Sequence, residues 1–394
     1  MTYSNRIINF AKLFLGNSVG QVIALALYPY IARYYFPEDF STFGFMTSLT
    51  MVLSVFATGQ FHTALLNPED EEEANSLIGL ATVSVTIFSL LTIAFFSIYN
   101  RSLLIISVYL FVYSLFEIQK MYFIRHKYYN QSAVSQVSFR LIGNGGKLLP
   151  IVVPLKSFGL ILSEILALCL VVGYGIKRSV FKLRWNKETF IKYKSFPLFH
   201  SLTMAMNLLI LDFPILFWIG KFNKEDLGYF VMGQKLIILP ALVVSNAVQN
   251  SSVHSLLSSK APFRDYLKQA LILVCIGLGC SVLFNLFGGA VLVKMLGTKW
   301  SQGEQVFSLL ALLIITKLIF ATTQAIFVLR GITRRTLSLR AVQVGILILC
   351  IGPSNNFYES LKKYIIIDMA FDVILIIWAG FIIRSPFVFR QQPK

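Results

Sequence analysis

The chain has 394 residues, 56% of them hydrophobic and only 13% charged, with 35 phenylalanines. That balance is too apolar for an ordinary soluble globular protein. The formal charge of +17 does not indicate a nucleic-acid partner, because the basic residues gather in alternate loops between long apolar runs.

Those runs are mostly about twenty residues long, the length an α-helix needs to cross roughly 30 Å of hydrocarbon. They lack the ten-residue alternation of an outer-membrane barrel. The predicted class is therefore an all-α polytopic membrane protein. Twelve spans are placed at about 8–32, 40–62, 76–98, 102–122, 133–153, 158–177, 197–220, 228–250, 268–288, 305–329, 340–353 and 364–383. Near the start, Ala24-Leu25-Ala26 imitates a signal-peptidase site. Asn17, Ser18 and Gln21 interrupt the apolar region and the helical pattern runs on to Ile31, so a retained first helix is expected.

An even number of spans leaves both termini on one side. Lys120, Arg125 and Lys127, the seven basic residues from Lys177 to Lys194, Lys260 with Arg264, and Arg330, Arg334, Arg335 and Arg340 all fall in loops of one parity. By the positive-inside rule that side is cytoplasmic, and both termini lie there. The acidic run Asn67 to Glu73, NPEDEEE, falls on the same side, reads as a solvated loop and carries little weight in the rule. No loop exceeds about twenty residues, which leaves no room for a soluble catalytic domain. The cysteines, Cys169, Cys275, Cys280 and Cys350, sit in apolar segments without metal-ligand spacing and read as small buried hydrophobes.

An internal repeat is visible. Phe36-Pro37-Glu38-Asp39-Phe40 opens the second span ahead of Phe43-Gly44-Phe45, and Phe222-Asn223-Lys224-Glu225-Asp226-Leu227 opens the eighth ahead of Gly228-Tyr229-Phe230. It divides the chain into two parallel six-helix lobes, residues 1–178 and 197–394, joined by a basic cytoplasmic linker at 179–196.

The charges inside the spans are the candidate functional groups. In the fifth span, Gln136 to Pro150, Arg140 and Lys147 lie seven residues apart with Asn144 between them, which on a helix places all three near one face. A charge in hydrocarbon is costly, so it normally faces a bundle interior or a wet cavity. Gly143, Gly145, Gly146 and Pro150 loosen the same helix. Lys235 and Lys317 are further in-span cations, with snorkelling to an interface the competing explanation for both. The in-span acids are Glu117, placed to pair with Lys120 at i,i+3, then Glu164, Asp212, Asp368 and Asp372. Asp212, beside Pro214, and Asp372 are the candidates for binding a proton or Na⁺, a buried ion pair being the alternative for Asp212. Asn17 and Gln21 give the first span a polar side, which helix–helix hydrogen bonding also explains.

The polar first span, the run Arg33-Tyr34-Tyr35-Phe36-Pro37-Glu38-Asp39-Phe40 with Gly44, and Asp212 followed by Asp226-Leu227-Gly228-Tyr229 resemble the polysaccharide flippases of the MOP superfamily, the Wzx-type O-antigen translocases. Ser41-Thr42-Phe43 makes the spacing before Gly44 longer than is usual in that family. The resemblance implies two six-helix lobes around a central cavity and a substrate of undecaprenyl-diphosphate-linked oligosaccharide, flipped across a bacterial inner membrane. It implies partners among membrane lipids, a coupling H⁺ or Na⁺, and a polysaccharide polymerase with its chain-length proteins. No cofactor, metal or enzymatic step is implied. Taken with the in-span charges, it assigns Arg140, Lys147, Lys317, Lys235, Asn144, Asn17, Gln21 and Arg33 to a cationic substrate cavity, and Asp212 and Asp372 to ion coupling. Tyr28 and Tyr113 are candidates for stacking on sugar rings. Two competing functions are a multidrug cation antiporter of the MATE kind, disfavoured by the basic residues in spans 5 and 10, and a membrane-embedded polysaccharide polymerase or glycosyltransferase, disfavoured by the short loops.

Overall fold

The computed structural model describes residues 3–68, 70–148, 156–176, 186–258, 262–330, 333–351 and 354–384. In chain order the helices are α1 (Tyr3–Tyr34), α2 (Pro37–Ala57), α3 (Phe61–Ala64), α4 (Glu71–Tyr99), α5 (Leu104–Arg125), α6 (Tyr129–Gly146), α7 (Lys156–Ile176) and α8 (Lys187–Tyr193). They continue as α9 (Ser201–Leu211), α10 (Phe213–Trp218), α11 (Lys224–Gly233), α12 (Leu239–Ser258), α13 (Pro262–Leu283), α14 (Gly289–Leu296), α15 (Glu304–Ala311), α16 (Leu313–Arg330), α17 (Thr333–Ile351) and α18 (Phe357–Arg384). The described parts of the predicted spans are helical apart from short breaks such as that at 58–60, the seventh, eighth and tenth each being made of two consecutive helices. Among the described residues, seven helical stretches are long and apolar enough to cross a membrane, and the pair Thr298–Ala311 with Leu313–Phe320, bent by 40°, makes an eighth if it is one span. The remainder are shorter, more polar or broken, and α6 is the most informative of them.

Helix boundaries follow local chemistry. At α2, Asp39 Oδ2 accepts the Phe36 backbone N–H at 3.0 Å, and Glu38 and Asp39 suit the positive end of the helix dipole. At α11, Asn223 Oδ1 accepts the Glu225 N–H at 3.3 Å. The second span ends at Ala57 instead of residue 62, because Gly59 and Gln60 both adopt positive φ, 53° and 54°, and turn the chain into α3. The fifth helix runs unbroken through Gly143 and Gly145 and closes at Gly146, while Pro150 lies outside the described residues.

The chain divides into two compact units: residues 1–35 with 42–212, and residues 36–41 with 213–394. In the first, α6 packs between α1 and α7, and a core of Leu77, Leu80, Leu110 and Phe123 joins α4 to α5. In the second, α16 is central, packed by α12, α13 and α18 around Tyr266, Phe327, Leu375 and Ala379. The two motif segments meet inside this second unit. A Cβ on Gly228 would lie 1.9 Å from the Pro37 carbonyl oxygen, so only glycine lets α11 sit against the start of α2.

Three expectations change. The four cysteines are exposed on helix surfaces instead of buried, since an apolar side chain in a membrane protein is satisfied by facing outward. The NPEDEEE run is pinned: Arg125 donates to the carbonyls of Leu65 and Pro68 at 2.8 and 2.7 Å and pairs with Glu71 at 3.2 Å, while Glu73 pairs with Lys192 of α8. Arg340 is not a loop residue but lies buried within α17.

Candidate functional site

In the first unit, α5, α6 and α7 bring together the polar side chains of three spans. Lys147, at the C-terminal end of α6, is fully buried. Its Nζ lies 2.6 Å from Glu164 Oε1 on α7 and 3.1 Å from Asn144 Oδ1, over the rings of Phe43 and Tyr28 at 4.6 and 5.8 Å. The other Glu164 oxygen accepts the Tyr109 hydroxyl from α5 at 2.9 Å. Asn144 also donates to the Arg140 carbonyl at 2.8 Å. This ammonium is therefore saturated by its own protein.

Arg140 has a different environment. Its guanidinium is half-buried, lies 5.2 Å from the Phe139 ring, and makes no side-chain hydrogen bond or ion pair among the described residues. Gly20 of α1 gives its stem room, since a Cβ there would come within 3.1 Å of the Arg140 Cγ. Arg140 lines a cavity of about 240 Å³ whose walls include Tyr109, Tyr113, Glu117, Gln136 and Glu164. Lys120, also on the wall, pairs with Glu117 at 2.5 Å, the i,i+3 contact anticipated from spacing. A guanidinium on a cavity wall without a direct ion pair is a planar fork suited to phosphate oxygens.

In the second unit, the in-span charges close into a ring. Lys317 on α16 contacts Asp368 and Asp372 of α18 at 2.7 and 2.9 Å. Arg340 of α17 reaches Asp372 at 3.2 Å and donates to Gln343 at 2.6 Å, and Gln343 donates to Asp368 at 3.0 Å. Two cations balance two carboxylates, all of them buried. That arrangement is a stable polar joint between three spans.

The other predicted residues are dispersed. Gln21 is half-buried on α1 and Arg33 is exposed at its end; Asn17 lies in α1 with its side chain outside the described part. Lys235 is half-buried in a π-helical turn, Gln234–Ile238. Asp212 is buried at the break between α9 and α10. Arg340, Gln343 and Glu164 were the residues whose roles spacing missed. Asp368 and Asp372 at i,i+4 on one helix were the visible sign that a cationic partner had to exist.

Residues 30–305 match the family described as polysaccharide biosynthesis protein. The chain belongs to that family. No curated protein matches it in sequence. Among solved structures, this polysaccharide biosynthesis protein is similar to an outward-facing MATE family multidrug resistance transporter of the MOP superfamily, with 13% identity, 95% of each chain covered and a TM-score of 0.63. It is also similar to the lipid II flippase MurJ in an inward closed conformation, with 10% identity, 96% of this chain and 88% of that one covered, and a TM-score of 0.68. A MOP superfamily transporter from Pyrococcus furiosus, described as having a binding pocket of reverse polarity, aligns at 14% identity over 96% and 95% of the two chains with a TM-score of 0.56. These likenesses establish the MOP-type fold for this polysaccharide biosynthesis protein.

Proposed function

We propose that the protein flips a diphosphate-linked lipid oligosaccharide, of the undecaprenyl-diphosphate kind, from the cytoplasmic to the outer leaflet of a bacterial inner membrane by alternating access. It acts as a transporter and not as an enzyme. The observation that carries the reading is Arg140: of the in-span cations described at the two clusters, its guanidinium alone lines a cavity without a carboxylate partner. Family membership supports a polysaccharide precursor as cargo, and the likeness to a lipid II flippase supports a lipid-linked one.

In this reading Arg140 anchors the diphosphate, and Lys147 with Asn144 holds the anchor's helix in place. Coupling to H⁺ or Na⁺ is assigned to Asp212, a carboxylate buried at the break between α9 and α10. The test is translocation of a labelled undecaprenyl-diphosphate oligosaccharide in proteoliposomes. Arg140→Ala should slow it by at least about tenfold, the equivalent of 1.4 kcal/mol. An unchanged rate removes the anchor, and expulsion of an organic cation by the wild type replaces the reading with the antiporter one.

A further inference from the structure

The cavity beside Arg140 is not lined as a simple anion site. Two carboxylates, Glu117 and Glu164, share its walls with the guanidinium, and they repel any second phosphate that enters beyond it. Apart from Lys120, which is paired with Glu117, the remaining lining is aromatic or uncharged, including Tyr109, Tyr113, Phe116, Phe139 and Gln136. Carboxylates accept hydrogen bonds, amides and hydroxyls both donate and accept, and aromatic faces cover C–H surface. A neutral polyhydroxylated ring satisfies all three at once. At about 240 Å³ the space lies below the 300–1,000 Å³ of drug-sized sites, a size suited to a single ring.

We propose that this cavity binds the single sugar attached to the diphosphate, with Arg140 at the phosphate end and Tyr113 and Glu117 reading the sugar hydroxyls. The inference rests on the flippase reading for the presence of the diphosphate. The division of labour follows from how each acid is held. Glu164 is committed to Lys147 and Tyr109, whereas the Glu117–Lys120 pair retains 20% and 25% side-chain exposure. Glu117 is thus the acid of the two whose carboxylate keeps accessible surface on the cavity wall. Tyr113, one turn before Glu117 on α5, is also half-buried and donates its hydroxyl to Glu117, so the two line the cavity as a polar pair.

The experiment measures binding of the purified full chain in nanodiscs to two kinds of probe. One is undecaprenyl diphosphate; the others are the same lipid bearing one glucose, galactose or N-acetylglucosamine. At least one sugar probe should bind about tenfold more tightly than the bare lipid. Tyr113→Phe and Glu117→Gln should each shrink that ratio to about twofold, while Arg140→Ala weakens bare and sugar-bearing lipids alike and preserves the ratio. Both substitutions are close in size, and circular dichroism and gel-filtration profiles matching the wild type confirm folding. Equal affinity for the bare lipid and every sugar probe overturns the sugar pocket while leaving the anion anchor intact. So does a tenfold ratio that survives both substitutions. Failure of every probe, bare lipid included, to bind the wild type overturns the flippase reading beneath it.

Discussion

Arg140 and Lys147 share a helix and a charge sign, yet their removal should have opposite consequences. Lys147→Ala takes the ion-pair partner from Glu164 in a site where the lysine side chain is 0% and the glutamate 9% exposed. Breaking a buried pair by deleting one partner costs about 3–5 kcal/mol, and here Asn144 also loses a hydrogen-bond donor. Arg140→Ala breaks no ion pair and loses the stem packing beside Gly20 and the Phe139 contact, about 1 kcal/mol in sum. Denaturant unfolding of the detergent-solubilised protein should therefore separate the two variants by at least about 2 kcal/mol, with Lys147→Ala the less stable. Lys147→Met combined with Glu164→Gln removes the pair as a unit and should recover most of the loss, giving a coupling energy in a double-mutant cycle. Substrate binding should follow the opposite order, lost in Arg140→Ala and retained by whatever Lys147→Ala protein remains folded. Equal stabilities for the two single variants would refute the assignment of Lys147 to structure and Arg140 to ligand.

Further outcomes follow from other parts of the chain. Gly228→Ala places a methyl 1.9 Å from the Pro37 carbonyl and should destabilise the second unit by about 1–3 kcal/mol, whereas Gly173→Ala, with nothing within 4 Å, should be neutral or slightly stabilising in the same thermal unfolding measurement. Asp372→Ala deprives Lys317 of one partner and Arg340 of its carboxylate, so it should cost about 3–5 kcal/mol, and Asp372→Glu should rescue only part of it because the ring of distances is already closed. His62, which follows the second span, is buried, and desolvation pushes its pKa down from 6.5 to about 4. The unfolded chain then binds more protons than the folded one between those values, so His62 favours folding fully above pH 6.5 and progressively less as pH falls toward 4. His62→Phe should flatten the stability profile across that window, and an unaltered slope would show that the histidine is not the group responsible.

The sequence alone determined the membrane class, the helical spans and the polar character of the fifth one. Hydrocarbon thickness and the cost of unpaired backbone leave few alternatives for a chain this apolar. The capped starts of α2 and α11 were legible too, since capping is local chemistry within four residues. Tertiary structure decided which charges were already spent. Spacing on one helix put Arg140 and Lys147 together, but the partner that neutralises Lys147 stands on α7, and those that engage Lys317 stand on α18. Pairing between helices depends on how the spans pack, and periodicity along one span carries no information about its neighbours. Only the packed structure, therefore, separated Lys147, Lys317 and Arg340, which are paired across helices, from Arg140, which lines a cavity.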